Sequence, residues 1–374
     1  MKDLIYFDNA ATTSLSAAAL SAMTETLSTI YGNPSSTHAT GREAARVLRE
    51  ARQEIATALK TKPQHIYFTS GGTESDNTAL KGYALAHQDQ GKHIISTSIE
   101  HHAVLETLEY LEQKYGFEVT LIQPENNQIT AQQIKEALRP DTILVSTMYA
   151  NNETGYILPI QEIGQALADH PAAYHVDAVQ VMGKLPVHPE ELGIDMLSAS
   201  AHKFHGPKGV GFLYAKDVKL DKLLHGGSQE NKRRAGTENL AGIVGMAKAL
   251  TESLENWQEK LERVETIAQT ILANLPADRY YLNQQAHHLP HVLNIGFPGQ
   301  ANDSLLLRLD LAGIAVSTGS ACTAGAIEPS HVIASFYGDQ SPKLKESIRI
   351  SLSELNTQEE ALLFTQKLKD IIGG

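Results

Sequence analysis

The sequence has almost no cysteine: Cys322 is the only one among 374 residues. A single thiol permits no internal disulfide, and it cannot form the cysteine clusters that hold zinc or iron–sulfur groups. Basic residues are fewer than acidic ones, 31 against 43, and the net charge of −12 argues against non-specific binding of nucleic acid. We therefore expect no direct nucleic-acid partner.

Long apolar runs are missing as well. No stretch of about 18 apolar residues occurs, so we expect no membrane-spanning helix. The beginning of the chain, MKDLIYFDNAATT, lacks the basic region and the apolar core of a secretory signal. We expect a cytoplasmic protein, because a reducing compartment keeps a lone thiol available.

The one cysteine lies in an unusual sequence context. In STGSACTAG, residues 317–325, it is surrounded by serine, threonine, glycine and alanine, whereas a structural cysteine is normally found on an apolar strand or helix. Taken alone, the pattern favours an unimportant loop thiol over a functional one. The other segments of the chain decide between these two interpretations.

Short β-rich runs alternate with helical patterns between about residue 65 and residue 215. The runs are HIYFTS, KHIISTS, EVTLIQ, TILVSTM, AYHVDA, DMLSASA and VGFLYA, and helix-like segments such as ESDNTALKGYALAH lie between several of them. This alternation predicts an α/β fold whose mostly parallel sheet is covered on both faces. In such sheets, ligands bind at the carboxyl ends of the strands.

The pattern changes after residue 240. Apolar residues recur there at spacings of three and four, which predicts one long amphipathic helix that ends near Pro276. The apolar positions are Leu250, Leu254, Trp257, Leu261, Val264, Ile267, Ile271 and Leu275. Beyond this helix, HVLNIGF, LLLRLDLAGIAVS and SIRISLS predict a smaller α+β unit, which the N-terminal segment can join.

Three segments place polar groups next to predicted strand ends. IYFTSGGTESDNTALKG reads as strand, glycine turn and helix, and is equally consistent with a phosphate seat at the helix N-terminus or with a simple capped helix. In YHVDAVQ, Asp177 and Gln180 follow a strand, where an aspartate can face a protonated ring nitrogen or cap the next helix. In SASAHKFHGPKGVGF, Lys203 follows a β-rich run beside Ser200 and His202.

These three segments together match one cofactor. A lysine in a constricted pocket can lose its proton and form an imine with an aldehyde. Pyridoxal 5'-phosphate carries an aldehyde, a pyridinium nitrogen and a phosphate, and its protein partners are such a lysine, an acid and a phosphate seat. The combination therefore predicts pyridoxal phosphate as the cofactor.

The same segments identify a family. The chain resembles the cysteine desulfurases of the NifS/IscS type, within the class V aminotransferase group of fold-type I pyridoxal-phosphate enzymes. The resemblance runs nearly end to end through FDNAATT, YGNPSSTHATGR, FTSGGTESDN, EHHAV, NNETG, HVDAVQ, SASAHKFHGPKG, RRAGTENL, STGSACTAGAIEPSHV and SIRISLS. It implies a large α/β domain with a mostly parallel seven-stranded sheet at residues 16–258. Residues 1–15 and 259–374 would form a smaller α+β domain that carries the Cys322 loop.

The resemblance also implies a set of cofactor contacts. The lysine at position 203 would hold the cofactor, Asp177 would keep the pyridine nitrogen protonated, and His101 would stack on the ring. Thr237 resembles a phosphate contact that the other subunit donates, which implies a homodimer. The remaining cofactor-binding positions implied are Gly72, Thr73, Asn152, Gln180, Ser200 and His202.

L-cysteine is the substrate that the resemblance implies. Arg349 matches an arginine that grips the substrate carboxylate as a bidentate pair, and Asn33 matches a residue that helps to orient it. Lys203 would remove the α-proton, and His101 is a candidate proton carrier for the deprotonation of Cys322. The thiolate of Cys322 would then attack the substrate sulfur and become a persulfide, and L-alanine would leave. The small residues around Cys322 predict a mobile loop that enters the pocket and leaves it.

Several alternatives stay open from the sequence. A selenocysteine lyase or another class V aminotransferase would use the same cofactor, and a catalytically silent subunit that binds a sulfur-accepting partner belongs to a different class of function. The long spacing after Cys322 resembles the long-loop group of the family. The sulfur acceptor could be an iron–sulfur scaffold, a tRNA-thiolating enzyme or a carrier of the thiamine pathway.

Two further features qualify this interpretation. GGSQENKRRAGT stands where relatives often read GGGQERGRRAGT, so that Ser228, Asn231 and Lys232 replace Gly, Arg and Gly while RRAGT is kept. The histidines of AHHLPH lack acidic or cysteine companions, and we expect a loop there rather than a metal site.

Overall fold

The computed structural model describes residues 4–319, 322–323, 326–327 and 329–373, and only the backbone of residues 322, 323, 326 and 327. The helices are α1 (Ala17–Thr29), α2 (Ala39–Ala58), α3 (Gly72–Ala86), α4 (His102–Tyr115), α5 (Ala131–Ala137), α6 (Ile160–Leu167), α7 (Gln229–Lys232), α8 (Leu240–Leu254), α9 (Trp257–Ala273), α10 (Asn302–Leu311), α11 (His331–Tyr337), α12 (Lys343–Glu346) and α13 (Gln358–Ile372). The strands are β1 (Ile5–Tyr6), β2 (Ile66–Thr69), β3 (His93–Thr97), β4 (Glu118–Ile122), β5 (Thr142–Met148), β6 (Ala173–Asp177), β7 (Met196–Ser200), β8 (Gly211–Ala215), β9 (Tyr281–Leu282), β10 (Val292–Gly296), β11 (Ile314–Ala315), β12 (Cys322–Thr323), β13 (Ala326–Ile327) and β14 (Ser347–Ser351).

The main sheet contains the seven β-rich runs of the sequence. Its strand order is β2–β8–β7–β6–β5–β3–β4. The strands from β7 to β4 run parallel, and β8 is antiparallel to both of its neighbours. Every residue of β5, β6 and β7 is buried, as expected for strands that helices cover on both faces. The predicted α/β fold with a mostly parallel seven-stranded sheet is confirmed.

Three apolar cores stabilise the described chain, and the third, which contains Leu80, Leu108 and Leu213, packs α3 and α4 against the main sheet. The first lies between the main sheet and helices that include α2 and α8, and contains Ile55, Tyr174 and Leu250. The second gathers Phe7 and Phe364 with side chains of α9, β10 and β14. The domain division at residues 16–258 stays a prediction, and the first and second cores are its physical basis.

The N-terminal segment packs with the second core. Strand β1 pairs in parallel with β11, and Asp8, just after β1, forms a separate bridge to Ser351 at the end of β14. Strands β9, β10 and β14 form a small antiparallel sheet beside it. Residues 7–9 therefore lie next to β14, more than 300 positions further along the sequence.

The single long helix predicted after residue 240 was wrong. Helix α8 ends at Leu254, and α9 begins at Trp257 after Asn256, which adopts a left-handed conformation with φ = 50°. Leu250 packs in the first core, whereas Val264 packs in the second. The apolar spacing continues across the break because both helices present apolar faces, each to a different core.

The segment that departs from its relatives contains a strained turn. The backbone φ angles of Glu230, Asn231 and Lys232 are 48°, 54° and 65°. Residues other than glycine rarely adopt this left-handed conformation. The carboxylate of Glu230 is buried and accepts hydrogen bonds from both terminal nitrogens of Arg52, at 2.6 and 2.7 Å. It also accepts one from the backbone N–H of Phe68 at 3.0 Å. This buried ion pair holds the turn that precedes RRAGT.

Candidate active site

A cavity of about 360 Å³ opens at the carboxyl edge of the main sheet. Most of the residues that the sequence singled out line it, although they come from distant segments of the chain. They are Gly72, Thr73, His101, Asn152, Asp177, Gln180, Ser200, His202, Lys203 and Arg349. This position agrees with the rule that ligands of such sheets bind where the parallel strands end.

Lys203 lies in a short helical turn, Ala201–Lys203, that directly follows β7. Its Nζ donates hydrogen bonds to the main-chain carbonyls of Ala10 at 2.5 Å and Ala11 at 2.9 Å. Burial and the nearby positive charge of Arg349 lower the pKa of Lys203 to about 7. A substantial fraction of this lysine is therefore an uncharged amine at neutral pH.

Asp177 is the last residue of β6 and is buried. Its Oδ1 accepts a hydrogen bond from the backbone N–H of Val179 at 2.9 Å. Burial raises the pKa of this carboxyl, and the positive charge of Lys203 opposes the rise. A buried carboxyl of this kind is strongly stabilised by a cationic group brought into the cavity.

His101 caps the N-terminus of α4. Its Nδ1 accepts a hydrogen bond from the backbone N–H of Ala103 at 3.1 Å, so the neutral ring carries its proton on Nε2. Surrounding protein atoms and the positive charge of Lys203 lower the pKa of His101 to about 4. The ring is therefore neutral at physiological pH and accessible from the cavity.

The N-terminus of α3 forms an anion seat beside the lysine. Gly71 precedes the helix with φ = 149° and offers no side chain to cap the first amides. A Cβ atom on Gly72 would lie 2.8 Å from Cγ2 of Val179, so glycine at this position allows α3 to begin in close contact with the turn that follows β6. Ser200 and His202 line the same recess. Free amides, a hydroxyl and an imidazole together suit a phosphate group.

Arg349 lies in the middle of β14 and is held from two sides. Its Nη2 donates to Oδ1 of Asp8 at 2.7 Å, and its Nη1 donates to the main-chain carbonyl of Asn152 at 3.1 Å. The Nε atom is buried without a partner in the described chain. The guanidinium is therefore fixed in the cavity wall and keeps donor capacity for a carboxylate.

Gln180 joins the N-terminal segment to the cavity. Its Nε2 donates to the main-chain carbonyl of Ala10 at 3.0 Å. Its Oε1 is buried and has no hydrogen-bond partner among the described residues. A buried acceptor of this kind requires a donor from a bound molecule or water.

Two predicted site residues do not line the cavity, and the side chain of a third is not among the described atoms. Asn33 is exposed in the loop between α1 and α2, where its Oδ1 accepts a hydrogen bond from the N–H of Ser35, and it does not line the cavity. Thr237 is exposed and lines a separate recess near Arg234. The backbone of Cys322 pairs with Ile327, and its side chain lies outside the described atoms. The roles of these residues stay predictions.

Sequence reasoning missed several groups at the cavity. Asp8 holds Arg349, and Thr12 contacts Nδ1 of His202 through its hydroxyl at 3.2 Å. Both residues lie in FDNAATT, which identified the family but carried no assigned role. Glu153 is buried in the cavity wall and accepts a hydrogen bond from Oγ of Ser330 at 2.5 Å. Its carboxyl thereby contacts the chain just after the Cys322 segment.

The three histidines of AHHLPH have different surroundings. His287 is exposed, His288 contacts the main-chain carbonyl of Gln285 at 2.9 Å, and His291 is buried. Within the described residues, no group of three potential metal ligands occurs. None of the described helices is long and apolar enough to cross a membrane.

Comparisons with known proteins identify the family. Residues 5–364 match the model of the class-V aminotransferases. The chain is 50% identical to a putative cysteine desulfurase, IscS 1, of Bacillus subtilis strain 168, over 98% of both chains. It is 45% identical to the cysteine desulfurase IscS of Dictyoglomus turgidum, over 100% of this chain and 95% of the relative.

Solved structures agree with this assignment. A NifS-like protein superposes with a TM-score of 0.93 at 37% identity, over 99% of both chains. The structure described as SspA in complex with cysteine superposes with a TM-score of 0.82 at 35% identity, over 94% of this chain and 100% of the other. The chain therefore belongs to the class-V aminotransferase family and, within it, to the cysteine desulfurases.

Proposed function

We propose that this chain removes sulfur from L-cysteine, leaving L-alanine and a persulfide on Cys322, through the residues of the cavity described above. The observation that carries the proposal is the convergence of Lys203, Asp177 and Arg349 on one cavity at the sheet edge. A lysine that is partly uncharged, a buried acid and a fixed guanidinium match the parts of an amino acid attached to the family's cofactor.

Pyridoxal 5'-phosphate is the cofactor of this family, and the residues present fit it. Lys203 would hold its aldehyde carbon, Asp177 its ring nitrogen, and the N-terminus of α3 its phosphate. The unpartnered Oε1 of Gln180 offers an acceptor for a hydroxyl donor of the ring. When bound, the cofactor withdraws electrons from the α-carbon of an attached amino acid and makes its α-proton acidic.

Lys203 and His101 would handle protons. A lysine amine with a pKa of about 7 can accept the α-proton at neutral pH, whereas an ordinary lysine is almost fully charged there. The neutral ring of His101 carries its proton on Nε2 and offers it in the cavity as a hydrogen-bond donor, because a neutral imidazole is too weak an acid to release it. Lys203, once it has accepted the proton, is the group that can return one.

Arg349 would bind the substrate carboxylate. Asp8 and the carbonyl of Asn152 fix the guanidinium, so little side-chain entropy is lost when a carboxylate binds. This contact orients L-cysteine with its α-carbon toward Lys203. Asn33 would assist only if a second copy or a movement of its loop brings it to the cavity.

Cys322 would accept the sulfur. Its thiolate forms a bond to the substrate sulfur while the bond between that sulfur and the substrate Cβ breaks. The electron pair stays on Cβ, which then receives a proton, so L-cysteine plus a thiol gives L-alanine plus a persulfide. Ser317 and Gly319, just before the Cys322 segment, line the cavity and support this role.

A homodimer is part of the proposal. Thr237 would reach the phosphate seat of a second copy, because within one chain it is exposed in a separate recess. Leu27 and Tyr31, at and beyond the end of α1, are large side chains that are 71% and 83% exposed in the single chain. A second copy would cover such a surface.

The persulfide sulfur would pass to an acceptor protein. An iron–sulfur scaffold and a tRNA-thiolating enzyme are the candidate partners, and a cytoplasmic site of action suits a free thiol. A thiamine-pathway carrier would use the same persulfide.

The test compares the wild type with Cys322→Ser on L-cysteine and on L-selenocysteine. We expect alanine and sulfide from L-cysteine with the wild type in the presence of a thiol reductant, and neither product with the variant, while both proteins bind the cofactor equally. Turnover of L-selenocysteine alone would instead identify a selenocysteine lyase. A purified protein that is colourless and forms no borohydride-reducible imine with pyridoxal phosphate would favour the silent subunit.

A further inference from the structure

A second lysine, Lys184, lies behind Lys203. It follows Gly183, whose φ of 76° and close contact with Phe204 leave no room for a side chain: a Cβ atom there would lie 2.4 Å from Cβ of Phe204. The turn that carries Lys184 therefore packs directly against the residue next to Lys203. Glycine at position 183 is what permits this close approach.

The ammonium group of Lys184 points at the main chain of Lys203. Its Nζ donates a hydrogen bond to the carbonyl oxygen of Lys203 at 3.0 Å. No carboxylate oxygen lies within salt-bridge distance of Lys184 in the described residues, which distinguishes it from most lysines that are partly buried in proteins. The carboxylate of Glu354, which attracts it from further away, is already paired with His205 at 3.4 Å.

Lys184 belongs to a different cavity from the one described above. Lys203 lines both cavities, but Lys184 lines only the smaller one, of about 40 Å³, together with Trp257 and His291. His291 is buried there, and neither of its ring nitrogens has a hydrogen-bond partner among the described residues. A space of this size admits a few water molecules at most, so it cannot hold substrate or cofactor.

We propose that Lys184 is a positioning residue for Lys203: its hydrogen bond to the carbonyl oxygen fixes the main chain of Lys203 from behind, and its ammonium group adds a positive charge on that side. The inference rests on the role proposed for Lys203 above. Without Lys184, the contacts of the Lys203 side chain would hold this residue from one side only. Here the side chain of Lys203 is held by the carbonyls of Ala10 and Ala11 in front, and its carbonyl is held by Lys184 behind.

The electrostatic part of the proposal depends on all charges that face Lys203. Burial, Arg349 and Lys184 lower the pKa of Lys203, in that order, and the carboxylates of Asp177 and Asp8 raise it. The imidazoles of His101 and His202, which face the same amine, have lowered pKa values and are neutral at physiological pH. His291 is neutral for the same reason. Burial lowers the pKa of Lys184 itself to about 8, so its amine is still mostly charged at pH 7, and Arg349 and Lys184 are the cations that act on Lys203 there.

The experiment titrates the visible absorbance of the cofactor in the holoenzyme against pH. This absorbance reports protonation of the Lys203 nitrogen that is bound to the cofactor. Removal of the neighbouring charge in Lys184→Met should move the midpoint of that titration to higher pH by roughly half to one unit, because a nearby cation disfavours protonation of the nitrogen. Lys184→Arg retains the charge and should titrate close to the wild type. Lys260→Met is the matched control, since Lys260 lines the same cavity but donates to the carbonyls of Glu252 and Ser253.

A neutral variant that folds poorly is replaced by Lys184→Gln, for which the same upward shift is expected. A hydrogen-exchange measurement on the peptide containing residues 201–206 adds a second readout, with faster exchange expected in Lys184→Met than in Lys260→Met. If both neutral variants titrate and exchange like the wild type, the proposal is overturned. A wild-type enzyme without any Lys203-dependent absorbance band would instead contradict the role of Lys203 itself.

Discussion

The cavity has two walls that are built in different ways. On one side, Asp177 ends strand β6 of the main sheet, and His101 and Lys203 follow strands β3 and β7 by no more than a few residues. On the other side, Asp8 and Arg349 come from segments whose neighbours, including Phe7 and Ile348, belong to the second core. The first wall is therefore fixed by the hydrogen bonds of one sheet, and the second depends on how the first and second cores pack together.

This difference separates two tasks. The groups suited to hold the cofactor belong mainly to the sheet wall, whereas the groups suited to hold the substrate carboxylate belong to the second wall. Changes in the sheet wall should remove chemistry altogether. Changes in the second wall should weaken substrate binding and leave cofactor binding intact.

The largest effect is expected for Lys203→Ala. Loss of the amine removes both the attachment point of the cofactor and the proposed base, so kcat should fall by roughly 10⁴-fold or more. The absorbance band of the imine should disappear in the same protein. Retained turnover with a normal band would show that another lysine performs this role.

Arg349→Lys probes the second wall. Lysine keeps the charge but cannot form the bidentate pair, so kcat/KM for L-cysteine should fall roughly 10- to 100-fold, mainly through KM. Cofactor affinity, measured by equilibrium dialysis, should not change. An equal loss of cofactor would mean that the two walls are not independent.

The rate at which the apoenzyme takes up pyridoxal phosphate should depend on pH through Lys203. Because only the uncharged amine reacts, the rate should fall about tenfold per pH unit below the pKa of about 7 and should level off above it. An ordinary lysine would give a rate that keeps rising toward pH 10. Stopped-flow absorbance distinguishes the two profiles.

Asp8→Asn should have the smallest effect of this series. The variant keeps the size of the side chain but removes the ion pair that orients Arg349, and the carboxylate of Asp8 is 22% exposed. A partly exposed ion pair contributes about 1 kcal/mol, which corresponds to a roughly fivefold rise in KM for L-cysteine. Steady-state kinetics with an unchanged cofactor spectrum would support this assignment, and a change confined to kcat would contradict it.

Much of the sheet wall could be predicted from the sequence. Strand periodicity and the motifs around Asp177 and Lys203 are local signals, and each places its side chain at a strand end. The order of the strands in the sheet is not local, because it depends on pairings between residues far apart in the chain. It could be expected only from the family resemblance.

The second wall and the helix break illustrate what local patterns miss. Asp8 contacts Arg349 across 341 positions of sequence, and no spacing rule connects them. The break at Asn256 is hidden because the apolar spacing continues while the partner core changes. Lys184 was missed for a related reason: its partner is a main-chain carbonyl, which every residue has.

A single-turnover experiment tests the central claim most directly. The holoenzyme is mixed with one equivalent of sulfur-labelled L-cysteine, without reductant or acceptor, and alanine and protein-bound sulfur are measured by chromatography and peptide mass spectrometry. We predict about one L-alanine per active site and equal labelled sulfur as a persulfide on the peptide containing Cys322. Alanine formed without any persulfide on Cys322 would contradict the account.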